Sequence, residues 1–260
     1  MHDEFVGAVH LVIAGIAPQA RVIDLTHGVA AHDVSAAARV LVRSVPWLSG
    51  VVLAAVDPGA GTTRRAVVVE ALDQGGRAAV VLVGPDNGLL VAAVRAIGGF
   101  GRVVALVGPP RGDRPDRGST FAGRDVLAAA AAHLCNGVDV ADLGPAVDPV
   151  DLVDLRDEPA TVGSDGTVVS RVQWIDRFGN VELNVPAAVV LGRCGGVALT
   201  PGDGQEVEVA VIEAYEQIPA GQIGVLIDSE GWICVAAERS SAAAALGLAE
   251  GDRVVLRLDG

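Results

Sequence analysis

The residues that could do chemistry lie in four short polar segments of an otherwise apolar chain. They are Thr26-His27, Asp57-Pro58-Gly59 with Arg64-Arg65 after it, Pro85-Asp86-Asn87-Gly88, and residues 119–125, Ser-Thr-Phe-Ala-Gly-Arg-Asp. The first three segments follow predicted strands, and in a doubly wound sheet ligands bind outside the carboxyl ends of the strands. Polar turns that converge on one edge of the sheet can form a ligand site there.

Each of these segments also has a purely structural explanation. Asp-Pro-Gly and Asp-Asn-Gly are common turns, and Ser119 or Thr120 can cap the helix that follows. His27 fits an ordinary turn, while His10 and His133 lie in apolar helices, where histidine is more often a core or surface residue than a ligand. The recurrence of polar turns at one edge of the sheet favours a site.

Composition excludes several classes of function. The chain has 260 residues, of which 51% are hydrophobic, so it can bury a sizeable core. Its net charge of −13 argues against binding to nucleic acids or anionic membranes. The sequence contains no lysine, which excludes a Schiff-base lysine and a phosphate-loop lysine. Its three cysteines form no C-x-x-C pair, and we expect no metal site.

The elements that must position these segments alternate between helix and strand in the first part of the chain. Helices are predicted at 6–16, 33–45, 89–97 and 125–135, and strands at 21–25, 51–56, 66–71, 78–83 and 103–107. Asp33 is placed to cap the second helix. This order predicts a mainly parallel sheet flanked by helices, that is, an α/β sandwich domain.

The second part of the chain has a different pattern. Short strands are predicted at 167–175, 181–185, 206–213, 224–227, 232–236 and 253–258, with one helix at 240–246. Closely spaced short strands indicate a small β-barrel. The acidic, turn-rich stretch 148–166 is predicted to link the two domains, which we place at residues 1–155 and 166–260. We find no signal peptide and no apolar run long enough to span a membrane, so we expect a cytoplasmic protein.

The motifs, taken together and in this order, resemble a known family. They are Asp24-Leu25-Thr26-His27, Val56-Asp57-Pro58-Gly59, Arg64-Arg65, Pro85-Asp86-Asn87-Gly88, the segment 119–125, Asp176-x-Phe178-Gly179-Asn180 and Asp228-Ser229-x-Gly231-Trp232. The chain is similar over nearly its whole length to the S-adenosyl-L-methionine (SAM) hydroxide adenosyltransferases. That family was long called a domain of unknown function and is related to the fluorinases and chlorinases.

The resemblance implies a fold, an assembly and a reaction. The expected protein is a homotrimer in which the barrel of one subunit completes the site of its neighbour. Attack of water at the 5′ carbon of SAM releases methionine and leaves adenosine, with no metal and no cofactor. Asp57 and Arg64 match catalytic positions. The implied substrate contacts are Asp3, Asn87, Asp176, Phe178, Asn180, Ser229, Trp232 and Ala237.

Asp57 indicates which nucleophile is used. Hydroxide-type members of the family carry a carboxylate at this position, whereas the halogenases carry tyrosine. A carboxylate repels chloride and fluoride. A sulfonium leaving group needs little assistance, so the enzyme must mainly orient the nucleophile and remove its solvent. Asp57 therefore favours water.

The sequence departs from the family pattern at three positions. Ala122 stands where hydroxide-type members have the histidine that also holds the water, so we expect slow hydrolysis. The family opens with a strand and Thr-Asp-Phe-Gly, which the chain as written lacks. Either Met1 is an internal methionine of a longer reading frame, which we favour, or the first strand is missing. Cys234 stands where many hydroxide-type members have glutamate, so contacts with adenine are expected to differ.

These departures leave two alternatives open. One is a related transferase that uses a halide or another nucleophile, because Ala122 leaves space in the site. The other is a protein that binds SAM or adenosine without turning it over.

Overall fold

A computed structural model describes most of the chain. The described residues are 4–107, 121–156, 158–189, 197–202 and 204–258. They form two compact units, Met1–Arg156 and Asp157–Gly260. Residues 108–118, Ser119, Thr120 and Asp3 lie outside the described residues.

The first unit contains one sheet and most of the helices. The helices are α1 Phe5–Ile16, α2 Val34–Ser44, α3 Val91–Ile97 and α4 Ala129–Cys135, with 3-10 turns at Val45–Trp47, Val140–Leu143 and Pro149–Asp151. A π-helical segment, Gly123–Ala128, runs directly into α4. The strands are β1 Gly50–Leu53, β2 Ala66–Leu72, β3 Ala78–Pro85 and β4 Phe100–Ala105.

The sheet of the first unit has the strand order β1-β3-β2-β4. Strands β1 and β3 are parallel, whereas β2 runs antiparallel to both β3 and β4. Three of the four strands therefore point the same way, and their carboxyl ends lie at one edge. One face of the sheet packs Val67, Val69 and Leu82 in a core with α2 and α3, and the other packs Val68 and Val83 in a core with α4.

The valine-rich strands explain this layering, because apolar residues at successive positions of β2 are buried on both faces. Helix α2 starts where the sequence predicts, and the Asp33 carboxylate accepts a hydrogen bond from the Ala36 backbone N–H at 2.8 Å. The predicted strand at 21–25 is wrong. The chain has no regular secondary structure there and pairs with no described strand, and Ile23 is 74% exposed.

The second unit is a closed barrel of seven strands, with an eighth strand added to its edge. The strands are β5 Thr161–Val162, β6 Thr167–Ile175, β7 Val181–Pro186, β8 Val197–Pro201, β9 Val207–Val211, β10 Ile223–Ile227, β11 Trp232–Ala237 and β12 Arg253–Leu258. The order is β12-β8-β9-β10-β11-β7-β6-β5, and pairing of β12 with β6 closes the barrel. Helix α5 spans Ala242–Leu246, and 3-10 turns span Ala187–Val189 and Tyr215–Gln217.

Alternating residues of these strands fill the barrel with valine and leucine. On β7, for example, Val181, Leu183 and Val185 point into the core, so Glu182 and Asn184 point out of it. The predicted fold class, an α/β unit followed by a small β-barrel, is confirmed. Strands β5 and β8 were not predicted. None of the described helices is both long and apolar enough to cross a membrane.

Candidate active site

The loop that follows β1 brings a carboxylate and a guanidinium together. The Arg64 side chain folds back over the loop, and its terminal nitrogen makes a close ion pair with the Asp57 carboxylate. The other carboxylate oxygen of Asp57 accepts the backbone N–H of Gly59 at 3.0 Å. Only 8% of the Asp57 side chain and 17% of the Arg64 side chain are exposed. The pair is thus oriented and largely shielded from solvent.

Gly59 is needed for this arrangement. A β-carbon at that position would lie 2.8 Å from Nε and 3.2 Å from Cδ of Arg64. A larger residue would therefore push the arginine side chain away from the carboxylate. The Nε atom of Arg64 is buried and has no hydrogen-bond partner within the described ranges. A buried N–H without an acceptor is costly, so this atom is the one unsatisfied donor of the guanidinium among the described contacts.

The polar turn that follows β3 is joined to the same loop. Asp86 is buried, and one of its carboxylate oxygens accepts two hydrogen bonds from the Arg65 guanidinium, at 3.0 Å and 2.6 Å. Its other oxygen accepts the Val153 backbone N–H at 2.9 Å. Arg65 also donates to the Asp151 carbonyl at 2.7 Å. This bidentate pair ties the loop to the segment that ends the first unit.

Asn87 connects the turn to the other end of the loop. Its amide nitrogen donates to the Val56 carbonyl at 3.0 Å, and its amide oxygen accepts from the Leu89 backbone N–H at 3.2 Å. Gly88 has a φ of 93°, and a β-carbon there would collide with Leu155. The Asp-Asn-Gly sequence therefore has a structural explanation. Binding of substrate by Asn87 stays a prediction.

The described part of the segment 119–125 lies against the end of β1. A β-carbon added to Gly123 would be 3.8 Å from the Ala55 side chain, two residues before Asp57. Arg124 forms a bidentate pair with Asp125, at 2.7 Å and 3.0 Å, and packs over the Phe121 ring. The π-helical geometry that begins beside Ala122 is a feature often found at functional sites.

The remaining polar segment, Thr26-His27, forms a separate exposed cluster. His10 of α1 and His27 both contact the same Asp24 oxygen, at 2.9 Å and 3.1 Å. Hydrogen bonds from these two imidazoles hold the pKa of Asp24 below its usual value. Thr26 accepts the Gly28 backbone N–H at 3.1 Å, which is an ordinary turn contact. These hydrogen bonds stay within the cluster, so the segment is explained by local structure.

In the barrel, the two predicted motifs form the same five-residue turn. In residues 176–180, the Asp176 carboxylate accepts the backbone N–H groups of Phe178 and Asn180, at 2.8 Å and 2.9 Å. In residues 228–232, the Asp228 carboxylate accepts the backbone N–H groups of Glu230 and Trp232, both at 2.9 Å.

The fourth residue of each turn is a glycine with a positive φ, 82° at Gly179 and 81° at Gly231. A three-residue hairpin loop with glycine at its left-handed position has this geometry. The first unit contains a third copy of the turn at residues 73–77, which joins β2 to β3. Its aspartate, Asp73, accepts the backbone N–H groups of Gly75 and Arg77, at 2.8 Å and 2.9 Å.

Side chains on the outer face of the barrel converge near these two turns. Burial raises the pKa of the Cys234 thiol to about 12, and the nearby carboxylates of Asp228, Asp176 and Glu182 add to this effect. Glu182 lies directly opposite Cys234 on the neighbouring strand and accepts a hydrogen bond from Gln173 at 2.9 Å. Burial also raises the pKa of Tyr215, which contacts Cys234, to about 12.

The structure thus brings several predicted residues together within each unit. Asp57 contacts Arg64 in the first unit, and Asn180 donates to Asp176 at 2.8 Å in the second. Ser229 lies on the turn next to Trp232, and Ala237 ends β11. Five further residues contact these predicted positions or their neighbours and were not predicted from the sequence: Arg65, Asp86, Glu182, Tyr215 and Asp228. Only Arg65, Asp86 and Asp228 stood in a motif that could have drawn attention to them.

Two family models match this chain. The model described as SAM hydroxide adenosyltransferase N-terminal domain matches residues 1–144, and the C-terminal domain model matches residues 170–255. A protein of Salinispora arenicola named (R)-S-adenosyl-L-methionine hydrolase is 41% identical over 256 residues, which cover 97% of this chain and 92% of the relative. A protein of the same name from Thermus thermophilus is 38% identical over 261 residues, with 96% and 93% covered.

A solved structure has a similar fold over the whole chain. It is the crystal structure of an uncharacterized conserved protein from Thermotoga maritima, with a TM-score of 0.86 and 28% identity. The match covers 99% of this chain and 96% of that one.

Proposed function

The chain belongs to the SAM hydroxide adenosyltransferase family, and on that premise we propose that it hydrolyses SAM to adenosine and L-methionine. The oxygen of water attacks the 5′ carbon, and the bond between that carbon and sulfur breaks. The bonding electron pair goes to sulfur, which leaves as the neutral thioether of methionine. The water loses one proton, and adenosine is the second product.

The observation that carries this proposal is the shielded Asp57–Arg64 pair. The Asp57 carboxylate is placed to accept a hydrogen bond, and then the proton, from a water molecule. Arg64 orients the carboxylate through the close ion pair, and we propose that its guanidinium helps to hold the same water. Because the sulfonium is already a good leaving group, orientation and removal of solvent supply most of the required catalysis. We propose that no metal or cofactor takes part.

The barrel residues are proposed to hold the rest of the substrate. Asp176 and Ser229 bind the amino acid group of SAM, Asn180 and Ala237 contact adenine, and Phe178 and Trp232 provide apolar walls. Carboxylates at the turns suit a substrate that carries both a sulfonium and an ammonium charge. Phe178 is 63% exposed, so its ring is accessible to a ligand.

We also propose that the chain assembles as a homotrimer whose sites lie between subunits. Large apolar side chains of the first unit support an interface, because Leu11, Ile23 and Trp47 are 76%, 74% and 78% exposed. Light scattering during size-exclusion chromatography tests the proposal: three times the 26.3 kDa mass of one chain is expected, and the mass of a monomer or dimer contradicts it.

We also propose a cytoplasmic location. Cys135 and Cys234 are both free thiols, as is usual in a reducing compartment. Immunodetection in cell fractions tests it, and recovery from the membrane or the medium contradicts it.

One experiment distinguishes the proposed reaction from its alternatives. Purified protein is incubated with SAM in the absence and in the presence of chloride or fluoride, and the nucleoside and methionine products are identified by mass spectrometry. Equal amounts of adenosine and methionine under all conditions are expected, with oxygen-18 from labelled water on the 5′ carbon. A 5′-halogenated nucleoside would instead establish the transferase. Tight binding without any product would establish a non-catalytic binding protein.

A further inference from the structure

Arg64 is held at two points, and only one of them is its catalytic partner. Besides the ion pair with Asp57, a terminal nitrogen of Arg64 donates to the backbone carbonyl of Arg65 at 2.8 Å. That carbonyl also accepts the backbone N–H of Asp86 at 2.9 Å. The direction of the Arg65 carbonyl therefore fixes the Arg64 guanidinium, and Asp86 fixes the carbonyl.

The side chains of Asp86 and Arg65 strengthen the same connection. Only 4% of the Asp86 side chain is exposed, and its two oxygens accept three hydrogen bonds, two from Arg65 and one from Val153. Arg65 is further held by the Asp151 carbonyl. A buried carboxylate with this many charge-assisted hydrogen bonds is rigid, so it can transmit its position to the adjoining backbone.

Asp86 and Asn87 together hold both ends of the catalytic loop. Asn87 binds the carbonyl of Val56, the residue before Asp57, at 3.0 Å. Asp86 binds the backbone and the side chain of Arg65, the residue after Arg64. A single dipeptide at the end of β3 therefore sets the separation and direction of the two catalytic side chains, although it touches neither directly.

We propose that Asp86 is a positioning residue for hydrolysis, which acts through Arg65 to hold Arg64 against Asp57. The proposal rests on the function proposed above. A misplaced catalytic group lowers the rate of the chemical step more than it weakens ground-state binding. The change in rate should therefore appear in kcat rather than in KM.

The main test uses Asp86→Asn, with Asp154→Asn as the matched control. Asp154 forms a bidentate pair with Arg95, both bonds at 2.9 Å, and anchors the same terminal segment without touching the catalytic loop. We expect Asp86→Asn to lower kcat about tenfold or more with KM within about twofold. Asp154→Asn should leave both constants close to wild type. An equal loss of kcat in both variants would overturn the proposal.

A double-mutant cycle separates positioning from general destabilisation. In an Arg64→Met background, Asp86→Asn should produce no further loss of kcat, because the residue through which Asp86 acts is gone. A further loss as large as that in the wild-type background would overturn the proposal. Thermal unfolding of each variant shows whether the protein is folded at the assay temperature.

Substitutions of Arg65 test the same proposal if the Asp86→Asn variant does not fold. Arg65 is 40% exposed, so its replacement is better tolerated. Arg65→Met should lower kcat as Asp86→Asn does, and Arg65→Lys should restore part of the activity, because lysine keeps the charge but cannot form the bidentate pair. Wild-type kcat in Arg65→Met would overturn the proposal.

A structural measurement tests the positioning role of Asp86 even if the protein does not hydrolyse SAM. If the wild-type protein releases no adenosine, the hydrolase proposal fails, and crystal structures of the wild type and of Asp86→Asn still decide the role of Asp86. Displacement of the Arg64 guanidinium from Asp57 in the variant supports positioning. An unchanged Asp57–Arg64 contact overturns it.

Discussion

The loop between Asp57 and Arg65 in the first unit and the aspartate turns in the barrel hold their carboxylates in different ways. Asp57 is held by Arg64, seven residues away, and the loop is held in turn by residues after the next two strands. Asp176 and Asp228 are held by backbone N–H groups within their own five residues. The loop therefore depends on distant parts of the unit, whereas each turn contains its own support.

This difference shows which of the two features needs a functional explanation. A self-contained turn forms wherever its five residues allow it, as residues 73–77 demonstrate in the other unit. The presence of the turn is therefore no evidence for a ligand. Within the described ranges, the loop that carries Asp57 and Arg64 has no such duplicate. Its ion pair is buried, and burying an ion pair adds little stability by itself. The catalytic role proposed above explains it better than a role in folding.

The largest effect is expected at the loop. Arg64→Met should lower kcat/KM by about 100-fold or more, because it removes the group that orients Asp57 and that is proposed to help hold the water. Asp57→Asn should cause a loss of at least similar size, because the amide cannot accept the proton. Steady-state release of adenosine measures both effects. Arg77→Met, which breaks an exposed pair with Asp73, is the control and should keep full activity.

A catalytic role for the Asp57–Arg64 pair would be contradicted if Arg64→Met kept more than about a third of the wild-type kcat/KM. Circular dichroism must show that the variant is folded, because an unfolded variant would lose activity for a different reason. Retained activity in a folded variant would mean that the Asp57–Arg64 pair is structural, like the pair in the exposed turn.

The next largest effect is a rise in KM, which is expected at the barrel turn 176–180 and not at the equivalent turn 73–77 of the first unit. Asp176→Asn keeps an oxygen that can accept the turn hydrogen bonds but removes the charge. If Asp176 binds the ammonium group of SAM, KM should rise about tenfold, as expected for loss of a hydrogen bond to a charged group. Asp73→Asn changes the same turn position in the first unit and should leave KM unchanged.

The two variants should be compared for stability as well as for KM. Similar small decreases in melting temperature are expected, because the same turn is altered in each. An unchanged KM in Asp176→Asn would show that the barrel turn, like residues 73–77, only joins two strands.

The same difference explains how much the sequence alone could predict. The helix capped by Asp33 and the turns depend on neighbours in the chain, so local patterns revealed them, and apolar runs indicated most of the strands. The contacts of Asp86 with Arg65, 21 residues away, and with Val153, 67 residues away, leave no local pattern. The strand predicted at 21–25 was wrong because a strand requires a partner, which apolar composition does not supply. Asp57 and Arg64 were found through a family motif.

A smaller effect is expected from Ala122→His, which tests the departure from the family pattern beside the loop. The segment around Gly123 lies against Ala55, close in sequence to Asp57. A histidine at position 122 should raise kcat a few-fold if an additional imidazole helps to hold the water. Ala122→Leu controls for the added volume and should lower kcat. No gain with histidine would show that Asp57 and Arg64 suffice.

The smallest effect is expected at Cys234, and it concerns stability rather than activity. Burial raises the pKa of this thiol to about 12 from a usual value of 9.0. Between these values the folded protein keeps the proton while the unfolded chain loses it, so stability falls as the pH rises. The fall is about 1 kcal/mol from pH 9 to pH 10 for this one group. Urea unfolding at both pH values should therefore show a smaller fall for Cys234→Ala than for the wild type.

Cys135→Ala is the matched control for Cys234→Ala, because Cys135 is exposed, although burial also raises its pKa. It should lose more stability on going from pH 9 to pH 10 than Cys234→Ala does. Equal losses in the two variants would show that the Cys234 thiol ionises as easily as an exposed one, which would make it a reactive group in the barrel. A neutral thiol, by contrast, can contact a substrate but cannot attack it. If Cys135→Ala loses more stability, as expected, the Cys234 thiol is neutral, and activation of the nucleophile is left to the loop of the first unit.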